Sequence, residues 1–236
     1  MAVDSTMLVA LGSIAASQAQ AIDKTMEEVI HLLNYAETNP DAEIRYQASD
    51  MVLHIHSDAS YLSETKARSR AGGHFFLSDR SPDPTKPPTG TPTPNGAIYT
   101  LSRILKCIMG SAAEAEIGAT YLCGQEAVPI RTTLIELDHP QPPTPMQVDN
   151  STAQGFANET IKQKRSKAID MRFYWIIDRT RQGQFIIFWR PGSTNRGDYH
   201  TKHHSPAHHR EVRPYYLHVT EHLAHNVISL LLQGCV

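Results

Sequence analysis

Residues 51–56, 71–77 and 97–109 form three apolar, β-branched or aromatic runs in direct succession. The later runs, 146–149 and 184–189, are each reached through a stretch with helical spacing. Strands that follow one another directly pair as an antiparallel meander, and strands joined by helical crossovers pair in parallel. This order specifies an α/β domain, a mixed five-stranded sheet with helices on its faces. Its 236 residues can bury one good-sized core and carry an appendage, but two full domains would be cramped.

The remaining segments read as follows. Residues 7–36 are helical, most clearly where Met26, Val29, Ile30 and Leu33 recur at three and four residues, with Thr25 as a cap and Asn39-Pro40-Asp41 as the stop. Ile44-Arg45-Tyr46 has the composition of a short extra strand, and Gly72-Gly73 marks a bulge or a close backbone approach. Residues 79–96 carry six prolines and too few apolar side chains to bury anything, so they form an exposed loop. A helical tract from Ser111 through Leu137 contains Pro129 and reads as two helices or one kinked helix. A short helix is expected after Asn150, a longer one over 166–181 with Ile169, Phe173, Ile176 and Ile177 on one face, and a last one over 219–232.

Composition excludes little. A formal net charge of -2 argues neither for nor against a nucleic-acid partner, so any such partner must meet a local patch. Cys107, Cys123 and Cys235 lack metal-ligand spacing and suit a reducing compartment. No apolar run approaches the roughly 18 residues of a membrane span, and the first twenty residues have no basic segment ahead of an apolar one. An intracellular protein without membrane association is expected.

Four carboxylates stand where strands or helices begin or end. Asp58 and Asp149 each follow an apolar strand and are followed by small polar residues, Ala59-Ser60 and Asn150-Ser151. Groups at the carboxyl ends of strands converge on one edge of an open α/β sheet. Glu114 and Glu116 compete for the third place, since residues two apart on a helix point different ways. Glu116 is preferred because its helical face continues through small residues, Ala119, Thr120, Cys123 and Ala127. Asp198, beyond the Pro191-Gly192 turn, completes the set. Taken singly, each acid also suits a helix cap. Together they could hold a pair of divalent ions about 4 Å apart, which suits in-line displacement at phosphorus. No Walker-type phosphate loop and no nucleophile-elbow pattern is present.

Five blocks occur in a telling order: Ser57-Asp58-Ala59-Ser60-Tyr61, Ser111-Ala112-Ala113-Glu114-Ala115-Glu116, Val148-Asp149-Asn150-Ser151-Thr152-Ala153, Arg165-Ser166-Lys167-Ala168-Ile169-Asp170-Met171-Arg172 and Asn195-Arg196-Gly197-Asp198-Tyr199-His200-Thr201-Lys202. The set resembles the ribonuclease H domain of copia-type LTR retrotransposon polyproteins. The stretch before it, including Leu32-Leu33-Asn34-Tyr35, resembles the tail of the preceding reverse transcriptase, its thumb or connection region. No polymerase Tyr-x-Asp-Asp motif is present.

The resemblance implies a ribonuclease H-like fold and cleavage of the RNA strand in RNA–DNA hybrids. It implies Asp58, Glu116, Asp149 and Asp198 as catalytic ligands of two Mg²⁺ ions, with Mn²⁺ as a substitute. The implied division is a helical reverse-transcriptase tail over 1–48, a ribonuclease H-like domain over 49–211 and a helical tail over 212–236. Two departures stand out. Arg196-Gly197 precedes Asp198 where related sequences carry an apolar-Ala pair, and residues 190–197 hold no histidine, which leaves the proton shuttle unassigned.

Residues 162–181 hold seven basic side chains against Asp170 and Asp178. Lys162, Lys164, Arg165 and Lys167 are the expected phosphate contacts; the alternative is a solvated helix face. Ser60, Asn150 and Ser151 would reach sugar hydroxyls, so the hybrid would be read by shape and 2′-OH. His200, His203, His204, His208 and His209 lack a paired Cys and regular spacing, which favours a polar surface segment over a zinc site. The competing functions are a catalytically silent remnant that binds nucleic acid or braces a polymerase, and, more weakly, an integrase-like strand transferase.

Overall fold

The computed structural model describes residues 4–93, 95–160 and 170–218. Five strands, β1 Val52–Glu64, β2 Arg68–Ser78, β3 Ala97–Ile104, β4 Thr144–Val148 and β5 Phe185–Trp189, form one sheet in the order β3-β2-β1-β4-β5. β1, β2 and β3 pair antiparallel, while β4 pairs parallel with both β1 and β5. The expected mixed five-stranded sheet is therefore present. Around it lie α1 Leu8–Ser17, α2 Asp23–Thr38, α3 Ala112–Glu136, α4 Ser151–Ala157, α5 Asp170–Arg181 and α6 Pro206–Val212.

α3 covers one face. Its small side, Ala115, Ala119, Cys123 and Ala127, is wholly buried against Leu53, Ile55, Phe75 and Met146. Small side chains bring the helix axis close to the strands, and Gly73 completes the fit, because a Cβ there would stand 2.7 Å from Cys123 Sγ. At Gly72 a Cβ would stand 2.4 Å from the Gly197 carbonyl oxygen. Both glycines keep regular pairing with Ser57 and Asp58, so they mark close approach and not a bulge. Pro129 lies inside one helix, α3, without ending it.

The opposite face is unusual for its histidines. His54 and His56 on β1, His74 on β2 and His200 are buried with Phe76 and Tyr216. His74 and His200 stack with ring centroids 6.3 Å apart. Burial holds these rings neutral, pushing His54 down to about 4 and His56 and His200 to about 3. The His-rich segment is consequently not a purely polar surface. His200 is fully buried, and Ser205 caps α6 by accepting from the His208 N–H.

Several other expectations are corrected. Ile44-Arg45-Tyr46 forms no strand: Glu43 makes an isolated bridge to His218, and Ile44 packs into a small cluster with Tyr199, Tyr216 and Leu217. The third apolar run is strand only to Ile104, after which Leu105 and Met109 turn into the core. Thr25 is not the cap of α2; it sits in the first turn and accepts from the Ile22 N–H at 3.3 Å. The expected helix over 219–232, and residues 166–169 of the one preceding β5, lie outside the described residues.

Buried polar links join the N-terminal helices to this sheet. Arg70, with no exposed surface, donates to Glu64 Oε1 at 2.6 Å and reaches Ser13 Oγ on α1 and Ser102 Oγ on β3, both at 3.1 Å. Tyr35 on α2 accepts from Arg213 Nε at 2.9 Å and donates to Asp4 Oδ2 at 3.1 Å.

The neutral histidines set an acid limit. The unfolded chain binds a proton at His54 near pH 6.5 that the folded protein refuses until about 4. Stability from this group is complete above the unfolded value and is lost as pH falls below it. His54→Phe keeps a ring against Phe76. Between about pH 7.5 and about pH 5 this variant should lose about 2 kcal/mol less stability than the parent, measured by urea unfolding.

Candidate active site

The site begins with a difference in strand length. β4 stops at Val148, whereas β1, supported by β2 on its other edge, continues to Glu64. Asp58 therefore lies within β1, not after its end as the sequence suggested. β1 pairs with β4 at Ile55–Met146 and His56–Gln147. Two residues further in the same register, Asp58 stands abreast of Asp149, which follows the last residue of β4.

α3 supplies the third acid. Ser111 caps this helix by accepting from the Glu114 N–H at 3.2 Å, and Glu114 Oε2 accepts from the Gly110 N–H at 2.6 Å. Glu114 is thus engaged at the helix start, while Glu116, two residues on, points to the sheet. Glu116 Oε1 accepts from the Ala59 N–H at 3.1 Å. Its Oε2 is buried with no hydrogen-bond partner.

One ligand atom from each of Asp58, Glu116 and Asp149 lies within 4.8 Å of the others. Crowding and burial raise all three carboxyls. Asp58 is pushed up to about 7 by burial, then by Asp149 and Asp198. Glu116 rises well above the carboxylate range through burial and then Asp58 and Asp149, and Asp149 rises through burial and then Asp198. An orphaned carboxylate oxygen beside two like charges is a strong site for positive charge, and hard oxygen donors with this spacing could hold a divalent metal.

Asp198 stands apart from that trio. It opens a short 3-10 turn, Asp198–His200, and its Oδ1 pairs with Lys202 Nζ. The turn is pinned to β1 from both sides. Asn195 Nδ2 donates to the Ser57 carbonyl at 2.8 Å, and Asn195 Oδ1 accepts from the Gly197 N–H at 2.9 Å. Thr201 Oγ1 lies 3.0 Å from Asp58 Oδ2 and 2.7 Å from the Asp198 carbonyl. The backbone is close enough that a Cβ at Gly197 would stand 2.8 Å from the His56 carbonyl oxygen. The glycine found where alanine was expected is thus required by this contact. Asn195, Thr201 and Lys202 were not singled out by sequence reasoning, although all three lie in the block ending at Lys202.

Of the expected substrate contacts, Ser60 Oγ donates to the Thr201 carbonyl at 2.6 Å, and Ser151 is exposed at the start of α4. Asn150 Oδ1 caps α4, accepting from the Thr152 and Ala153 N–H groups at 3.0 Å. Lys162, Lys164, Arg165 and Lys167 lie outside the described residues.

No protein-family model matches the chain. Over 176 residues, 75% of its length, it is 24% identical to the retrovirus-related Pol polyprotein from transposon TNT 1-94 of Nicotiana tabacum. The chain is similar to a retrotransposon Pol polyprotein. It spans 12% of that relative's length. Among solved structures, this chain is similar to an RNase H1 isolated from compost by a metagenomic approach. The identity is 12%, covering 64% of this chain and 93% of that one, with a TM-score of 0.46. The RNase H1 named LC11 in complex with an RNA/DNA hybrid gives 12% identity, 63% and 93% coverage and a TM-score of 0.45. The protease-reverse transcriptase of prototype foamy virus gives 16%, 60% and 17%, with a TM-score of 0.34.

Two measurements check the geometry. Ionising Asp58 in the folded protein is opposed, so stability from this group is present at low pH and is lost as pH rises toward about 7. Without divalent metal at neutral pH, Asp58→Asn should be more stable than the parent by about 1–2 kcal/mol in thermal unfolding. Gly197→Ala should cost about 1–3 kcal/mol because the His56 carbonyl cannot yield freely, whereas Gly90→Ala, with nothing within 4 Å of the added Cβ, should be near neutral.

Proposed function

We propose that this chain is the ribonuclease H-like part of a retrotransposon polyprotein, an endoribonuclease that cleaves the RNA strand of RNA–DNA hybrids during reverse transcription. The observation that carries the reading is the convergence of Asp58, Glu116 and Asp149, with the partnerless Glu116 Oε2 among them. In this reading Asp58, Glu116, Asp149 and Asp198 hold two Mg²⁺ ions, or Mn²⁺ in their place. When bound, the metal would activate water and stabilise the leaving oxygen at the scissile phosphate, giving 5′-phosphate and 3′-hydroxyl ends.

The protein's own groups position and charge the site. The adjacent strands β1 and β4 fix Asp58, within β1, beside Asp149, directly after β4, and the Ala59 N–H orients Glu116 through one oxygen, leaving the other for a ligand. Thr201 holds Asp58 Oδ2. Ser60, Asn150 and Ser151 flank two of the acids and contact the sugar-phosphate backbone, with Lys162, Lys164, Arg165 and Lys167 extending the phosphate track. Residues 1–48 are then the tail of the reverse transcriptase, 49–211 the ribonuclease H-like domain and 212–236 a C-terminal tail. The polymerase part of the same polyprotein is the protein partner. Among the described residues, no helix is long and apolar enough to cross a membrane.

A catalytically silent remnant that binds nucleic acid or braces a polymerase is favoured by one feature, the engagement of Asp198 by Lys202 outside the triad. A labelled RNA–DNA hybrid incubated with Mg²⁺ separates the two. Cleavage of the RNA strand by the parent, reduced at least about 10³-fold in Asp58→Asn and in Asp149→Asn, is the expected result. Intact hybrid with retained binding would establish the silent reading instead.

A further inference from the structure

The proline-rich loop over 79–96 carries three hydroxyl side chains directly before a proline, in Ser81-Pro82, Thr91-Pro92 and Thr93-Pro94. Two of these hydroxyls are engaged, since Ser81 Oγ donates to the Asp83 carbonyl at 3.3 Å and Thr93 Oγ1 donates to Asp79 Oδ2 at 3.5 Å. Thr91 is exposed, and among the described residues its hydroxyl makes no hydrogen bond. Thr91 and Pro92 line a cavity of about 350 Å³ together with Arg196, His208, Tyr215 and Asp198. Positive charge is left over beside this loop. Arg190 Nη2 donates to the Pro88 and Gly90 carbonyls at 2.6 and 2.7 Å, while its Nη1 is buried with no hydrogen-bond partner. Arg196 spends Nη1 on the Tyr215 carbonyl and lies over that ring, 5.3 Å from its centroid. Among the described residues neither guanidinium has a carboxylate partner, and Asp198, the acid of the cavity, is already paired with Lys202.

We propose that Thr91 is a phosphorylation site for a proline-directed serine/threonine kinase, and that the phosphate it gains is held by Arg196 beside His208. Proline has a fixed φ and no N–H, and it keeps the residue before it extended, so the Thr91 hydroxyl is offered on an open backbone that a kinase cleft can take up. In the transfer Thr91 Oγ1 forms a bond to the γ-phosphorus of ATP, the bond from that phosphorus to the β-bridging oxygen breaks, ADP leaves, and the hydroxyl proton passes to a carboxylate of the kinase. The product carries a charge of about −1.5 to −2 at pH 7, and a guanidinium without a carboxylate meets it in charge-assisted hydrogen bonds. Arg196 stands two residues before Asp198 and donates its backbone N–H to His56 Nδ1. A phosphate on Thr91 would therefore staple the proline-rich loop to the turn that presents the fourth acid.

The test needs no nuclease activity. The full chain is incubated with ATP and a proline-directed kinase of the mitogen-activated class, and the modified residues are mapped by mass spectrometry. Thr91 should be modified at least about tenfold faster than Ser81 or Thr93, whose hydroxyls are already bonded, and Thr91→Ala should remove that phosphate. Modification confined to Ser81 or Thr93, or absent from all three, would overturn the site. Backbone hydrogen exchange over 85–93 then reads the docking of the phosphate. Exchange should slow at least about threefold on phosphorylation of the parent and should not slow in Arg196→Met. His208→Asp, a change at an exposed position, places a like charge in the same cavity and should also abolish the slowing, which keeps the test decisive if Arg196→Met lowers the far-UV helical signal. No slowing in the parent, or equal slowing in the parent and in both variants, would show that Arg196 does not hold the phosphate.

Discussion

Three carboxylates held within 4.8 Å of one another, two of them buried, are the arrangement on which the rest of this structure depends. Such a cluster opposes folding unless its groups are protonated or a cation joins them. It persists because each acid rides on an element fixed by packing elsewhere. Asp58 sits in β1 at the centre of the sheet, Glu116 on a helix whose small residues press it to the strands, and Asp149 directly after β4. The hydrophobic face beneath α3 therefore stabilises a site that is itself destabilising, a common relation between core and functional residues.

The opposite face of the sheet solves a different problem. There the chain packs neutral histidines, with Phe76 and Tyr216, where an aliphatic layer would serve the same geometry. Imidazole nitrogens without partners are costly in such a place. Their position links this layer to the acids, because His56 lies two residues before Asp58 on the same side of β1 and accepts from the Arg196 N–H through Nδ1 at 3.1 Å. The loop that presents Asp198 is thus tied to the histidine layer, to Ser57 and to Asp58 at once. Displacing that loop would disturb the layer and the acids together.

Much of this was legible in the order of residues. Direct succession of three apolar runs dictated the meander, and helical stretches before the last two dictated parallel pairing, which the sheet shows. The preference for Glu116 over Glu114 followed from the small residues on its side of the helix, and those residues are the ones buried against the sheet. What could not be read was set by contacts distant in sequence. The length of β1 beyond Asp58 depends on β2, the burial of His200 on its stack with His74, and the glycine at 197 on the carbonyl of His56. Ile44-Arg45-Tyr46 had the composition of a strand, but its apolar member was drawn to Tyr199 and Leu217.

The pairing of Asp198 with Lys202 follows from the same electrostatics. Among the described residues, Lys202 is the cation whose ammonium reaches the acids' edge of the site, and it pairs with the half-buried Asp198. A flexible lysine on a short turn can leave at little cost, since exposed ion pairs contribute only about 0–1 kcal/mol. Asp58 Oδ2 is held by the neutral Thr201 hydroxyl, and Glu116 Oε2 has no hydrogen-bond partner. A cation arriving at the cluster would therefore gain most from the buried pair and Asp149, and only then compete with Lys202 for Asp198. The structure in this way separates its acids, with three fixed by the sheet and its helix and a fourth carried on a turn and paired with Lys202.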